Sequence, residues 1–242
     1  MEIVKKDLMK AADVEKAKIL QGFFKTGKGD YGEGDVFLGL TAKEIKDVAK
    51  KYSWISLDEI VGLLKSDVHE ERVCALRILV GKYASQDNRE QTIENRKKEI
   101  YDFYLGHTRH VNNWDLVDLS APKIVGSWLL DKNNRSVLDG LAVSDNLWER
   151  RIAIVSTFAF IRAGEFDDTL RIAKVLLGDG HDLIHKAVGW MLREVGKRDV
   201  SILKEFLREN YSDLPRTTLR YAIERFPEDL RVKYLKGNYE GH

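Results

Sequence analysis

The stretch "NNWDLVDLSAPKIVG", residues 112–126, sets an indole and two carboxylates into a run of apolar residues. Asn112 or Asn113 can cap a helix that begins at Trp114. On that helix Trp114 and Asp118 stand at i and i+4, neighbours on one face. An ionised carboxylate there can stabilise positive charge that develops during a reaction, or orient a water for attack. The face of an indole attracts the same kind of charge. Asp115 points elsewhere. Its place in the first turn, at the positive end of the helix dipole, is reason enough for an acid. Asp118 has no such local reason. Flanked by Val117 and Leu119, it reads in one of two ways. It is a core carboxylate satisfied by a distant arginine or backbone donor, which the residues by themselves favour, or it is a functional group.

Two further clusters set cations beside tryptophan. In "SDNLWERRIAIV" (144–155), Asp145 or Asn146 can cap a helix on which Trp148 and Arg151 are three apart. Arg150 and Arg151 at its start read as one solvated and one carboxylate-paired arginine, or as a phosphate clamp. In "HKAVGWMLREVGKR" (185–198), Trp190 lies among Ala187, Gly189, Leu192 and Val195. Core packing is the commonest fate of such a tryptophan, whereas a functional one would stand out of the core. Lys186, Arg193, Lys197 and Arg198 give the segment a basic surplus that suits phosphate.

Other chemistries find less support. The loop "KTGKGDYGEGDVFLG" (25–39) holds five glycines, but it lacks the Gly-Lys-Ser/Thr ending of a phosphate-binding loop and no strand precedes it. Asp30, Glu33 and Asp35 lack the spacing of a calcium loop. His181 and His185 are four apart with no accompanying glutamate motif, so no metal site is expected.

The elements that must position these side chains are helices. Only Pro122, Pro215 and Pro227 break the chain, and long stretches of Leu, Ile, Ala, Lys, Glu and Arg run between them. Residues 1–24 read as one amphipathic helix with Ile3, Leu8, Ala11, Ala12 and Leu20 among its buried positions. Thr41 and Glu44 have the spacing of a capping box. No run of strand alternation follows. Four apolar helices carry a basic residue followed by a small one, with Ala75, Ala153, Ala187 and Ala222 spaced 78, 34 and 35 apart. A period near 35–40 residues is that of stacked helix pairs, an all-α superhelix of HEAT-like repeats with a concave groove; an irregular bundle is the alternative. Lys and Arg number 40 against 39 Asp and Glu, so net charge neither supports nor excludes a nucleic-acid partner. Cys74 is the only cysteine, which fits a reducing, cytoplasmic setting. The first twenty residues do not read as a signal peptide, and no apolar run reaches the ~18 residues of a membrane span.

"WDLVD" followed by Pro and Gly, then "SDNLWERRIAI", then "KAVGWMLREVGK" occur in an order and spacing that resemble the bacterial DNA-alkylation-repair glycosylases with HEAT-like repeats, the AlkD type. "YGEGDVFLGL" and "LPRTTLRYAIERF" extend the similarity over nearly the whole chain, so residues 1–242 are expected to form one such domain. The resemblance implies excision of cationic N3- and N7-alkylated purines from duplex DNA, with no metal or cofactor and no flipping of the base. By position it makes Asp118 the catalytic aspartate. It makes Trp114 and Trp190 the aromatics around the lesion's deoxyribose, and Arg151 the contact to the DNA backbone. Lys186, Arg193, Lys197 and Trp148 are further candidate DNA contacts. A monomer in the cytoplasm, associated with the nucleoid, is expected. Two other possibilities stand beside it: a relative that binds damaged or branched DNA without excision, and a scaffold whose groove takes a protein.

Overall fold

The computed structural model describes residues 1–86 and 92–238, and the described residues are all-helical. Their one β feature is an isolated parallel bridge between Val36 and Val68. None of the helices is long and apolar enough to cross a membrane. The chain divides into two compact units, Met1–Ser120 and Ala121–His242.

The first unit starts with two helices, α1 (Glu2–Lys10) and α2 (Val14–Phe23), where the sequence reads as one. Asp13 interrupts it: its side chain accepts from the amides of Glu15 and Lys16 and starts a new helix. Helix α1 turns Val4 and Leu8 inward, so of the five expected buried positions only Leu8 is buried, and Ile3 is 52% exposed. Helix α2 puts none of its own residues into the core, but Phe24, which ends it, is buried. The loop that follows is pinned. Glu70 accepts from the backbone amides of Leu38, Gly39 and Leu40, and Asp35, Phe37, Leu38 and Leu40 are buried. Thr41 and Glu44 form the expected capping box at the start of α3 (Ala42–Lys51), and Ser56 and Glu59 form another for α4 (Leu57–Leu64).

Both helices pack on α5 (His69–Ala84), which is buried along most of its length and forms the axis of the unit. Its first turn is unusual for a core helix, because His69, Glu70, Glu71 and Arg72 are all buried. Buried charge is tolerated only when compensated: His69, Glu71 and Arg72 have ion-pair partners, and Glu70 accepts from three backbone amides. Helix α6 (Ile93–Gly106) packs on α5 through Ile100 and Tyr104, and α7 (Trp114–Ser120) packs on it through Leu116 and Val117.

In the second unit a π-helical turn, Pro122–Gly126, leads into α8 (Ser127–Leu129). Gly126 lies against the next layer so closely that a Cβ would collide with the carbonyl oxygen of Ser156. Then come α9 (Val137–Ala142), α10 (Leu147–Ser156), α11 (Phe158–Ala163), α12 (Asp167–Val175), α13 (Asp182–Gly196), α14 (Val200–Glu209), α15 (Arg216–Ala222) and α16 (Glu228–Leu235). The helices with the recurring small residue pack in succession, α10 on α13 and α13 on α15, and Ala153, Ala187 and Ala222 are buried. Ala75 is likewise buried on α5 of the first unit. Gly189 shows why a helix interior here holds glycine: a Cβ would sit 2.6 Å from the carbonyl oxygen of Thr218 and 2.5 Å from Tyr221 Cβ on α15.

Candidate functional site

Helix α7 starts at Trp114, and Asn113 is the residue that caps it. Asn113 Oδ1 accepts from the Trp114 amide (2.8 Å), while its Nδ2 donates to Asp35 Oδ2 (3.2 Å). Trp114 and Asp118 are both half-buried. Asp118 is therefore not sealed in the core, and both groups of the i, i+4 pair reach the surface of the first unit. Trp114 stacks on Phe24, with centroids 5.2 Å apart and planes 13° apart, and meets the edge of Phe23 at 6.0 Å. Phe23 is 63% exposed, so the aromatic surface extends beyond the indole.

Asp115 does more than answer the helix dipole. His69 Nε2 donates to Asp115 Oδ2 at 2.8 Å. On its other side the same ring faces Asp35, with Nδ1 3.4 Å from Oδ2, and Arg72 pairs with Asp35 at 2.7 Å. Burial works against charge on His69, but the bonds to Asp115 and Asp35 outweigh it and raise the imidazole above its ordinary 6.5. Burial likewise opposes the Asp35 charge, and His69 and Arg72 outweigh it and hold that carboxyl below its ordinary 3.8.

The far end of α7 is held differently. The Tyr104 hydroxyl, fully buried, lies 2.9 Å from Ser120 Oγ, which donates to the Leu116 carbonyl (2.6 Å). Burial pushes the Tyr104 phenol well above its ordinary value; the Ser120 bond opposes this and the charge of Asp118 adds to it. Tyr104 thus stays a neutral donor beside Asp118.

In the second unit Asn146 caps α10 by accepting from the Trp148 amide. Neither arginine of the pair is solvated, contrary to the expectation that one would be. Arg150 pairs with Asp179 (2.6 Å), and Arg151 is 5% exposed and donates to the Leu183 carbonyl (2.7 Å). Trp148 is buried in the packing of α10. Trp190 stands half out of α13, 5.8 Å from Phe158, and so does not share the commonest fate of tryptophan. The basic surplus of 185–198 is matched by acids: Lys186 pairs with Asp182, Arg193 with Glu224, and Lys197 and Arg198 both with Glu194.

Other reactive side chains have structural employment. His181 caps α13, and His185 donates to the Asp179 carbonyl at 2.5 Å. Burial pushes the Cys74 thiol up to about 12, which leaves no nucleophilic thiolate at neutral pH. Among the described residues no three His, Cys, Asp or Glu side chains are placed to hold a metal ion.

The model of the DNA alkylation repair enzyme family matches residues 4–226, almost the whole chain. The chain belongs to the DNA alkylation repair enzyme family. A solved structure described as a predicted DNA alkylation repair enzyme from Enterococcus faecalis shares the fold of this family member, with a TM-score of 0.68 at 18% identity over 90% of this chain and 97% of that one. No curated protein matches it. For this alkylation repair protein, sequence reasoning missed the residues that stand behind α7: Asp35, His69, Arg72, Tyr104 and Phe24. One signal was available. Four consecutive polar residues, His69 to Arg72, open a helix whose next four residues are apolar, and such a run belongs either to solvent or to a paired network.

Proposed function

We propose that this member of the DNA alkylation repair family is a monofunctional DNA glycosylase that hydrolyses the N-glycosidic bond of cationic N3- and N7-alkylated purines in duplex DNA. The observation that carries the proposal is the pairing of Trp114 and Asp118 on one surface-reaching face of a short helix anchored at both ends. An alkylated purine already bears a positive charge. When its C1′–N bond breaks, the bonding electrons neutralise the departing base, so little general acid is needed. Positive charge passes to the sugar, where the Asp118 carboxylate stabilises it and orients a water whose oxygen bonds to C1′. The proton released by that water passes through the carboxylate to solvent. The indole faces of Trp114 and Trp190 attract the polarised sugar and its developing charge. To fix the DNA backbone Arg151 exchanges the Leu183 carbonyl for a phosphate, as Lys186, Arg193 and Lys197 exchange their carboxylate partners. Such an enzyme reads the charge of the lesion at the sugar and leaves the base in the stack, in contrast to enzymes that extrude it.

Release of 7-methylguanine or 3-methyladenine from methylated duplex DNA tests the proposal. Wild type releases free base, and Asp118→Asn does so far more slowly. Binding without release would make the protein a damage-binding relative. Neither binding nor release would leave a protein-binding scaffold as the remaining alternative.

A further inference from the structure

Helix α7 spans Trp114–Ser120, about two turns, too short to hold a direction by its own hydrogen bonds. Its orientation must come from outside. At its first turn the external contact is His69, which donates from Nε2 to Asp115 and faces Asp35 with Nδ1. Among the described residues Asp115 Oδ1 is buried with no hydrogen-bond partner, and the carboxylate is held by the His69 bond at its other oxygen. A second route runs through the rings. His69 stacks on Phe37 (4.6 Å, 22°), Phe37 on Phe24 (5.0 Å, 25°), and Phe24 on Trp114 (5.2 Å, 13°). One imidazole therefore bears on Trp114 both through Asp115 and through the aromatic stack. The charged groups that face it are Asp35 from the 25–39 loop, Asp115 from α7 and Arg72 from its own helix.

We propose that His69 is a positioning residue of the site: its imidazole, held between Asp35 and Asp115, fixes the first turn of α7 and with it the directions of Trp114 and Asp118. The Gly-rich loop takes part, because it delivers Asp35 to both His69 and Asn113. What Trp114 and Asp118 then accomplish rests on the proposed glycosylase activity; that His69 holds them does not.

Two replacements separate positioning from mere filling of the core. In His69→Gln the side-chain amide falls near imidazole Nε2 and can still donate to Asp115. In His69→Asn the amide falls near Nδ1 and cannot reach it. Both lose the imidazolium charge. The indole N–H resonances of the full-length protein, labelled with nitrogen-15, report the outcome; that of Trp114 is identified by its loss in Trp114→Phe. The Gln variant is expected to keep the Trp114 resonance and the rate of base release near wild type. The Asn variant shifts the resonance and slows release roughly 10-fold or more, because misplacement of catalytic groups by about an ångström has effects of that size. Affinity for duplex DNA stays the same in both. If the two variants have the same Trp114 resonance, the proposal is overturned. Should His69→Asn not fold, Asp115→Ala removes the other end of the bond, and an unmoved Trp114 resonance there overturns it equally. If wild type releases no base, the glycosylase proposal fails while the resonance still decides the role of His69.

Discussion

At His69 four charges meet in a space with little water. Asp35 and Asp115 bring two negative charges, and Arg72 with a protonated His69 brings two positive ones. Loss of the imidazole proton leaves one carboxylate without a cation. Because the folded-state value of His69 is raised, its contribution to stability is complete below its ordinary 6.5 and disappears as pH rises through the folded value. Asp35 is lowered, so its contribution is complete above its ordinary 3.8 and disappears as pH falls through the folded value. The network thus stabilises most between those limits. The urea midpoint of wild type is expected to fall more steeply than that of His69→Gln as pH rises above 6.5; parallel curves would contradict this charge assignment. Asp118 behaves differently, because it is half-buried and the role proposed for it is chemical. Asp118→Asn is expected to slow base release about 100-fold or more, the usual scale for losing one electrostatic contact to a transition state. Its urea midpoint should stay close to wild type, and a comparable collapse of stability would return Asp118 to the status of a core carboxylate.

Among the elements, α7 is defined by its anchors and α13 by its glycine. The Tyr104 hydroxyl holds the last turn of α7 through Ser120. Tyr104→Phe removes that bond and leaves the ring in place, a loss of about 1 kcal/mol measurable by urea unfolding. On α13, Gly189 admits the backbone of α15, and its neighbour Trp190 stands half out of the helix. Gly189→Ala forces Cβ against Thr218 and Tyr221, where a backbone carbonyl cannot yield as a flexible side chain would. A cost of about 1–3 kcal/mol is expected, despite alanine's better helix propensity, and should appear as a lower melting temperature. A gain in stability would mean that the two helices can separate freely. The capping boxes at Thr41–Glu44 and Ser56–Glu59 were legible in the sequence because both partners lie within one turn. The break at Asp13 was not read, because the apolar residues of α1 and α2 together resemble one continuous helix.

For the molecule as a whole, charge balance sets the terms of DNA binding. Cations outnumber acids by one, and the basic residues of 185–198 each have a carboxylate partner. On the proposed function, binding is then expected to come from a few local phosphate contacts rather than from a broad basic face. The logarithm of the association constant is expected to fall with the logarithm of salt concentration with a slope of about −3 to −5, set by the number of phosphates neutralised. Fluorescence anisotropy with a labelled duplex across low to physiological salt measures it. Affinity that does not change with salt would argue against phosphate contacts altogether.

By itself the sequence determined the all-helical class, the start of α7 at Trp114, its asparagine cap and the placement of Trp114 with Asp118 on one face. These follow from propensity, capping and the 3.6-residue period, which act within a turn or two. Only the tertiary structure decided that Trp148 is buried while Trp190 is half-exposed, that Arg151 is held by Leu183, and that Asp115 has a partner in His69. The residues bonded through His69 are 34 and 46 positions away along the chain, and no local rule reaches so far. Exclusion of water is what makes such a pairing obligatory, because a buried charge must find its partner wherever the fold brings one.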